Sequence, residues 1–121
     1  MIPLRVTAEF RIRAGKDEAF RLIMRALESA VREHDKGTLI YDWYISPDGR
    51  TAFVHEHYES TDAFIAHAMR AASEIGRLAE VGDFLHVTFA GEPSEFIKKT
   101  MVSHEGDVPG SPKVEFYNAL N

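Results

Sequence analysis

His67 is the residue in this chain best suited to moving a proton near neutral pH, because an imidazole titrates near 6.5. It closes the segment Ala63-Phe64-Ile65-Ala66-His67, whose spacing is helical, one turn after Phe64 and one turn before Arg70. A histidine placed this way has two readings. It is a proton acceptor or hydrogen-bond donor toward a ligand, or it is a stitch bonded to Glu56 or Tyr58 on a neighbouring strand. Glu56 and Tyr58 share one strand face with Ala52 and Val54, about 7 Å apart along the strand. Those apolar neighbours predict burial, and a buried carboxylate needs a partner or a displaced pKa. A bond from Glu56 to His67 would fix the ring's tautomer with or without catalysis.

His55, His57 and Glu59 occupy the opposite face of the same strand. Two histidines at i, i+2 and a carboxylate can form a three-ligand metal set. The spacing is common in ordinary strands, and a polar patch at a barrel interior or dimer interface accounts for it better. His34 and His86 are single residues without a paired signature, fit for packing or surface. Tyr41 and Trp43 share a face of the preceding strand. They read as an aromatic wall for a flat substrate, with stacking worth ~0.5–1.5 kcal/mol, or as plain aromatic core. No Gly-rich phosphate loop, nucleophile elbow or Walker pattern occurs, so no nucleotide cofactor is expected.

The elements that hold these residues follow from periodicity. Leu4, Val6, Ala8, Phe10 and Ile12 alternate with polar residues, a strand with one buried face. Asp17 is placed to cap a helix carrying Phe20, Ile23, Met24, Leu27, Ala30, Val31 and His34 at three- and four-residue spacing. Gly37 is placed as its left-handed C-terminal residue. Strands over Leu39–Ile45 and Thr51–Glu59 flank the turn Ser46-Pro47-Asp48-Gly49-Arg50. A helix capped by Ser60 or Thr61 follows, with Phe64, Ile65, Ala68, Met69 and Ala72 on its apolar side. A weaker helical stretch covers Ser73–Val81, interrupted by Gly76. In the strand Asp83–Gly91, alternation sets Phe84, His86, Thr88 and Ala90 against Leu85, Val87 and Phe89.

Strand, helix, strand, strand, helix, strand is the ferredoxin-like order, an α+β domain with an antiparallel sheet over residues 1–91. Both sheet faces carry apolar side chains while the helices cover only one, so a second copy is the expected cover. Residues 92–121 form an extension. It comprises a short helix start at Pro93–Lys99 capped by Ser94, a polar loop over Ser103–Pro112, and a short strand at Lys113–Tyr117. That strand is expected to pair with a sheet edge of its own or of the other subunit.

The 121 residues, 45% apolar and 27% charged, suit one globular domain. A net charge of −5 without a basic cluster argues against nucleic acid. The longest apolar runs fall far short of the ~20 residues of a membrane span, and no signal peptide is read at the N-terminus. Without cysteine there is no disulfide, thiolate metal site or cysteine nucleophile, which suits a cytoplasmic protein.

The stretch Gly37-Thr38-Leu39-Ile40-Tyr41-Asp42-Trp43-Tyr44-Ile45-Ser46-Pro47-Asp48-Gly49 begins a combination of motifs. His55-Glu56-His57-Tyr58-Glu59-Ser60 and Ala63-Phe64-Ile65-Ala66-His67 complete it. An aromatic second strand, a hairpin, a Glu-x-Tyr ending the third strand and an Ala-Phe-x-x-His on the next helix resemble the antibiotic biosynthesis monooxygenase family, whose quinol monooxygenases are members. The resemblance implies a homodimer of the dimeric α/β barrel type, with a pocket between each sheet and its own helices. It also implies oxidation of quinols or polycyclic phenols by molecular oxygen, without metal or flavin. On that basis His67 is the general base, Glu56 orients it, Tyr58 bonds near the substrate oxygen, and Tyr41 and Trp43 form the wall. Haem-degrading relatives use an Asn on the first strand and a Trp–His pair near the second helix. Here only His67 matches, since the asparagines are Asn118 and Asn121 and Trp43 lies on a strand. The alternative to an oxygenase is a small-molecule-binding or structural homodimer without turnover, with haem binding a third reading.

Overall fold

Alternation does produce the first strand, β1 (Leu4–Ile12). In the computed structural model, which describes residues 3–91, 95–102 and 112–120, its five apolar residues are all buried. Helix α1 (Asp17–His34) buries Phe20, Met24, Leu27 and Val31, one stripe of its surface. Asp17 is its first residue rather than its cap. Lys16 holds the cap position and gives no side-chain bond. Asp17 and Glu18 instead place negative charge against the positive end of the helix dipole.

Strands β2 (Thr38–Ile45) and β3 (Thr51–Tyr58) form the hairpin. Its turn closes as the sequence demands. Asp48 accepts from the Ser46 hydroxyl at 2.6 Å and the Arg50 amide at 3.0 Å, and Gly49 takes φ of 73°. Helix α2 (Thr61–Arg70) starts at Ser60, whose Oγ accepts the Ala63 amide at 3.2 Å. Met69, placed on its apolar side by spacing, is exposed, and His67 is the one fully buried residue of α2. Helix α3 (Ala72–Val81) runs through Gly76 without a break.

Strand β4 (Gly82–Gly91) departs from simple alternation. A bulge pairs Glu9 with His86 but Phe10 with Phe84, leaving Leu85 as the extra residue. Phe84 therefore turns to the helix side beside Val87 and Phe89, and stacks on Phe10 at 4.7 Å. The period of two set it on the opposite face.

Helix α4 (Glu95–Val102) and strand β5 (Lys113–Asn118) complete the described chain. Ser94 and residues 103–111 of the expected loop lie outside the described residues. The sheet order is β2-β3-β1-β4-β5. Four strands are antiparallel in ferredoxin-like order, whereas β5 joins β4 of its own chain in parallel. The sheet is thus mixed and open, with α1, α2 and α3 packed over one face. No helix among the described residues is long and apolar enough to cross a membrane.

Gly37 has a role other than the expected left-handed cap. Only Gly15, Gly49 and Gly91 have positive φ among the described glycines. A Cβ on Gly37 would lie 2.6 Å from that of Ala63, so its bare backbone lets the α1–β2 connection sit directly on the first turn of α2.

Candidate functional site

That close approach brings Asp35, the C-cap residue of α1, against α2. Its carboxylate lies 2.7 Å from Nδ1 of His67 and 2.9 Å from Nη2 of Arg70, and also accepts from Arg70 Nε. His67 and Arg70 stand at i and i+3 on α2, so one carboxylate reaches both. The expected partner of His67 was Glu56; the structure supplies Asp35 instead. The reason is topological, since the end of α1 passes the buried side of α2 while Glu56 bonds within its own strand. A carboxylate at a helix C-terminus opposes the helix dipole. That misfit was the one sequence signal pointing to Asp35, and the spacing from His67 to Arg70 was its complement.

Burial pushes the Asp35 carboxyl up, but hydrogen bonds from Arg70 and His67 outweigh it and hold the group below its usual range. Burial lowers the His67 pKa, and Asp35 only partly opposes this. His67 is therefore neutral at pH 7. With Asp35 ionised, Nδ1 carries the proton and Nε2 the lone pair. Nε2 finds no partner among the described residues.

Glu56 is buried at the centre of the sheet, opposite Val6 on one side and Tyr41 on the other. The Tyr58 hydroxyl donates to its Oε1. Burial raises the Glu56 carboxyl to about 7, against the weaker pull of Tyr58. Burial and then the charge of Glu56 push both Tyr41 and Tyr58 well above the ordinary phenol range, so both stay protonated.

Trp43 contacts Phe10, Phe20 and Tyr41, with ring centres 5.6, 6.1 and 6.3 Å away. Its indole N–H is buried without a hydrogen-bond partner among the described residues. The Tyr41 ring also lies 5.0 Å from that of His67.

His67, Glu56, Tyr41 and Trp43 line one cavity of about 230 Å³ between the sheet and its helices. Its remaining walls are apolar, among them Phe10, Phe64, Leu78 and Phe89. Tyr58 lies behind this surface, in contact with His67 and Phe64. Tyr41 also borders a second groove of about 370 Å³, lined by Asp35, Lys36 and Asp42 and facing outward. It is the partition between the two spaces. His55 and His57 lie on the other sheet face, and no group of three metal-ligating side chains assembles among the described residues.

The arrangement is a neutral imidazole with a free nitrogen, held by a buried carboxylate, on a mostly apolar cavity beside a carboxyl that titrates near neutrality. It can accept a proton from a small ligand held against apolar walls.

A family model described as antibiotic biosynthesis monooxygenase matches residues 3–74. No curated protein matches the sequence. Among solved structures, MupZ from Pseudomonas fluorescens superposes with a TM-score of 0.75 at 16% identity, covering 98% of this chain and 91% of that one. Rv0793 from Mycobacterium tuberculosis gives 0.65 at 25% identity, over 77% and 97%. A candidate antibiotic biosynthesis monooxygenase from Caulobacter crescentus gives 0.65 at 20% identity, over 72% and 86%. The MupZ and Caulobacter likenesses are likenesses of fold.

Proposed function

The chain belongs to the antibiotic biosynthesis monooxygenase family, and from that premise we propose a cofactor-independent oxygenase acting on a small quinol or phenol, with His67 as general base. The observation that carries this reading is the 2.7 Å contact between Asp35 and Nδ1 of His67, which leaves Nε2 unpartnered on the cavity wall. In the proposed reaction Nε2 takes a proton from the phenol or its keto tautomer. The resulting anion is electron-rich and passes electrons to oxygen within the apolar cavity. A C–O bond forms, and loss of water from the hydroperoxide leaves a carbonyl: CH2 and O2 give C=O and H2O.

The site assignments shift with the geometry. Asp35, not Glu56, is the positioning residue for His67. Tyr58 serves Glu56 and does not bond the substrate. Tyr41 and Trp43 are cavity wall. An apolar cavity of ~150 Å³ accepts benzene, so about 230 Å³ suits one or two fused rings. The active unit is proposed to be a homodimer, because the sheet face away from the helices carries Tyr44 and Phe53 exposed, their rings 6.4 Å apart.

Oxygen uptake with a panel of one- and two-ring hydroquinones and phenols tests the reading, comparing wild type with His67→Gln. Uptake above the uncatalysed rate that disappears in the variant supports it. The same apolar cavity supports a second reading, ligand binding without turnover. Quenching of Trp43 fluorescence by these phenols, with no uptake from any of them, would decide for that reading.

A further inference from the structure

A base with a free nitrogen is half of an acid–base site, and the second titratable group on the cavity wall has no part in the oxygenase reading. Glu56 is buried beside the chamber that His67 lines. Its Oε1 is taken by the Tyr58 hydroxyl, and Oε2 has no partner among the described residues. When the carboxyl is neutral, the oxygen that accepts from Tyr58 is its carbonyl. The acidic proton then sits on Oε2. Tyr58 thus fixes the donor atom of Glu56 as Asp35 fixes the acceptor atom of His67.

We propose that His67 and Glu56 act together as a general base and a general acid that enolise a small aryl ketone in the cavity, an activity that needs no oxygen. The proton on the carbon beside the carbonyl goes to Nε2 of His67. The Oε2 proton of Glu56 goes to the carbonyl oxygen, the C–H electron pair forms the C=C bond, and the C=O π pair becomes the enol O–H. The reverse steps restore the ketone, with a proton drawn from groups that have equilibrated with solvent. Nothing is oxidised or reduced. Each partner bond strengthens as charge develops: Asp35 meets a forming imidazolium, and the Tyr58 hydroxyl meets a forming carboxylate. The apolar walls keep water from levelling those charges. This inference rests on the proposed function only in using His67 as a base.

The charged and titratable groups around the pair are Asp35, Arg70 and Glu74 near His67, and Tyr41 and Tyr58 near Glu56. Catalysis requires His67 neutral and Glu56 protonated. The rate should therefore fall in acid as His67 protonates and fall again above about 7 as Glu56 ionises.

The test is anaerobic exchange of the α-protons of 1-tetralone, a bicyclic aryl ketone of suitable size, into D2O, followed by NMR, with binding read from Trp43 fluorescence. We expect exchange above the buffer rate with a bell-shaped pH dependence. Glu56→Gln keeps an acceptor for Tyr58 and should lose about 10²-fold or more, together with the alkaline limb. His67→Gln should lose as much. Tyr58→Phe, which removes the bond to Oε1 with little change of shape, should fall at least about 10-fold and serves if Glu56→Gln does not fold. Full exchange in folded Glu56→Gln and Tyr58→Phe overturns the acid role. No binding of the ketone, or binding without exchange above buffer, overturns the activity. Oxygen uptake is measured separately: exchange without uptake removes the oxygenase alone, and uptake without exchange removes only the inference made here.

Discussion

Asp35 and His67, 32 positions apart in sequence, meet at 2.7 Å where the end of the first helix crosses the buried side of the second. The contact does for the imidazole what a third residue does in other proton-transfer sites: it holds the ring and decides which nitrogen is basic. Asp35→Asn keeps a carbonyl able to accept from Nδ1 but removes the charge that stabilises imidazolium. The expected result is a kcat lower by about 10²- to 10⁴-fold with KM changed far less. Steady-state kinetics on any substrate from the phenol panel would check it, and an unchanged kcat would remove Asp35 from the mechanism.

Glu56 ties stability to pH. Its folded pKa is raised from the ordinary 4.5 to about 7. Below the lower value folded and unfolded chains are both protonated there, and the buried neutral carboxyl costs nothing extra. As pH rises toward 7 the unfolded chain releases its proton first, so stability falls. The loss is on the order of 3 kcal/mol at about 1.4 kcal/mol per pH unit. Glu56→Gln should flatten this slope between about pH 4.5 and 7. Urea unfolding across that range measures it.

His67 works in the opposite direction. Its folded pKa lies below the usual 6.5, so the protein should lose stability as pH drops from 6.5 through the lowered value. His67→Gln is expected to remove that acid-side slope while leaving the one due to Glu56, and the same urea series separates the two.

Tyr41 divides the inner cavity from the outer groove. Tyr41→Ala should join the two spaces and move the preference toward larger ligands. A tricyclic phenol is expected to bind the variant about 10-fold more tightly than the wild type. A single-ring hydroquinone should lose affinity. Fluorescence titrations of Trp43 read both, and an unchanged size preference would show that the partition lies elsewhere.

Gly37→Ala sets a methyl against Ala63. Because the connection carrying Asp35 must back away from α2, a destabilisation of about 1–3 kcal/mol is expected, with a further loss of turnover as Asp35 moves from His67. Ala63→Gly in the same chain should restore most of both. Failure of the second substitution to rescue would mean that the Glu59 carboxylate, 3.3 Å from the added methyl, carries the clash.

Much of the fold was legible because burial writes itself as period. β1 alternates without exception, α1 shows its stripe, and the β2–β3 turn names its own glycine. What periodicity missed was decided by contacts remote in sequence. The bulge at Leu85 exists because β4 must fit β1, and nothing within β4 announces the extra residue. Met69 fits an apolar stripe by spacing, yet α2 turns His67 inward because Asp35 waits there. The candidate site was half visible for the same reason. His67, Glu56 and Tyr58 stand in recognisable motifs, whereas Asp35 sits in a helix stop, where an acid looks incidental. The pairing of Glu56 with Tyr58 was hidden by an assumption that a buried acid seeks a base, when a tyrosine two residues away sufficed.

The central position of β1 has a consequence for how the molecule comes into being. Leu4 pairs with Tyr58 on one side and with Gly91 on the other. β1 is therefore completed only after β3 and then β4 have followed it from the ribosome. Until β3 follows, a ribbon carrying Leu4, Val6, Ala8, Phe10 and Ile12 has no partner on either edge, and its second edge stays open until β4 arrives. Ordering depends on pairings between distant residues, which form slowly and expose apolar strand in the meantime. The chamber that holds His67 closes only with β4, so the site arrives after the rest of the domain has committed to its fold.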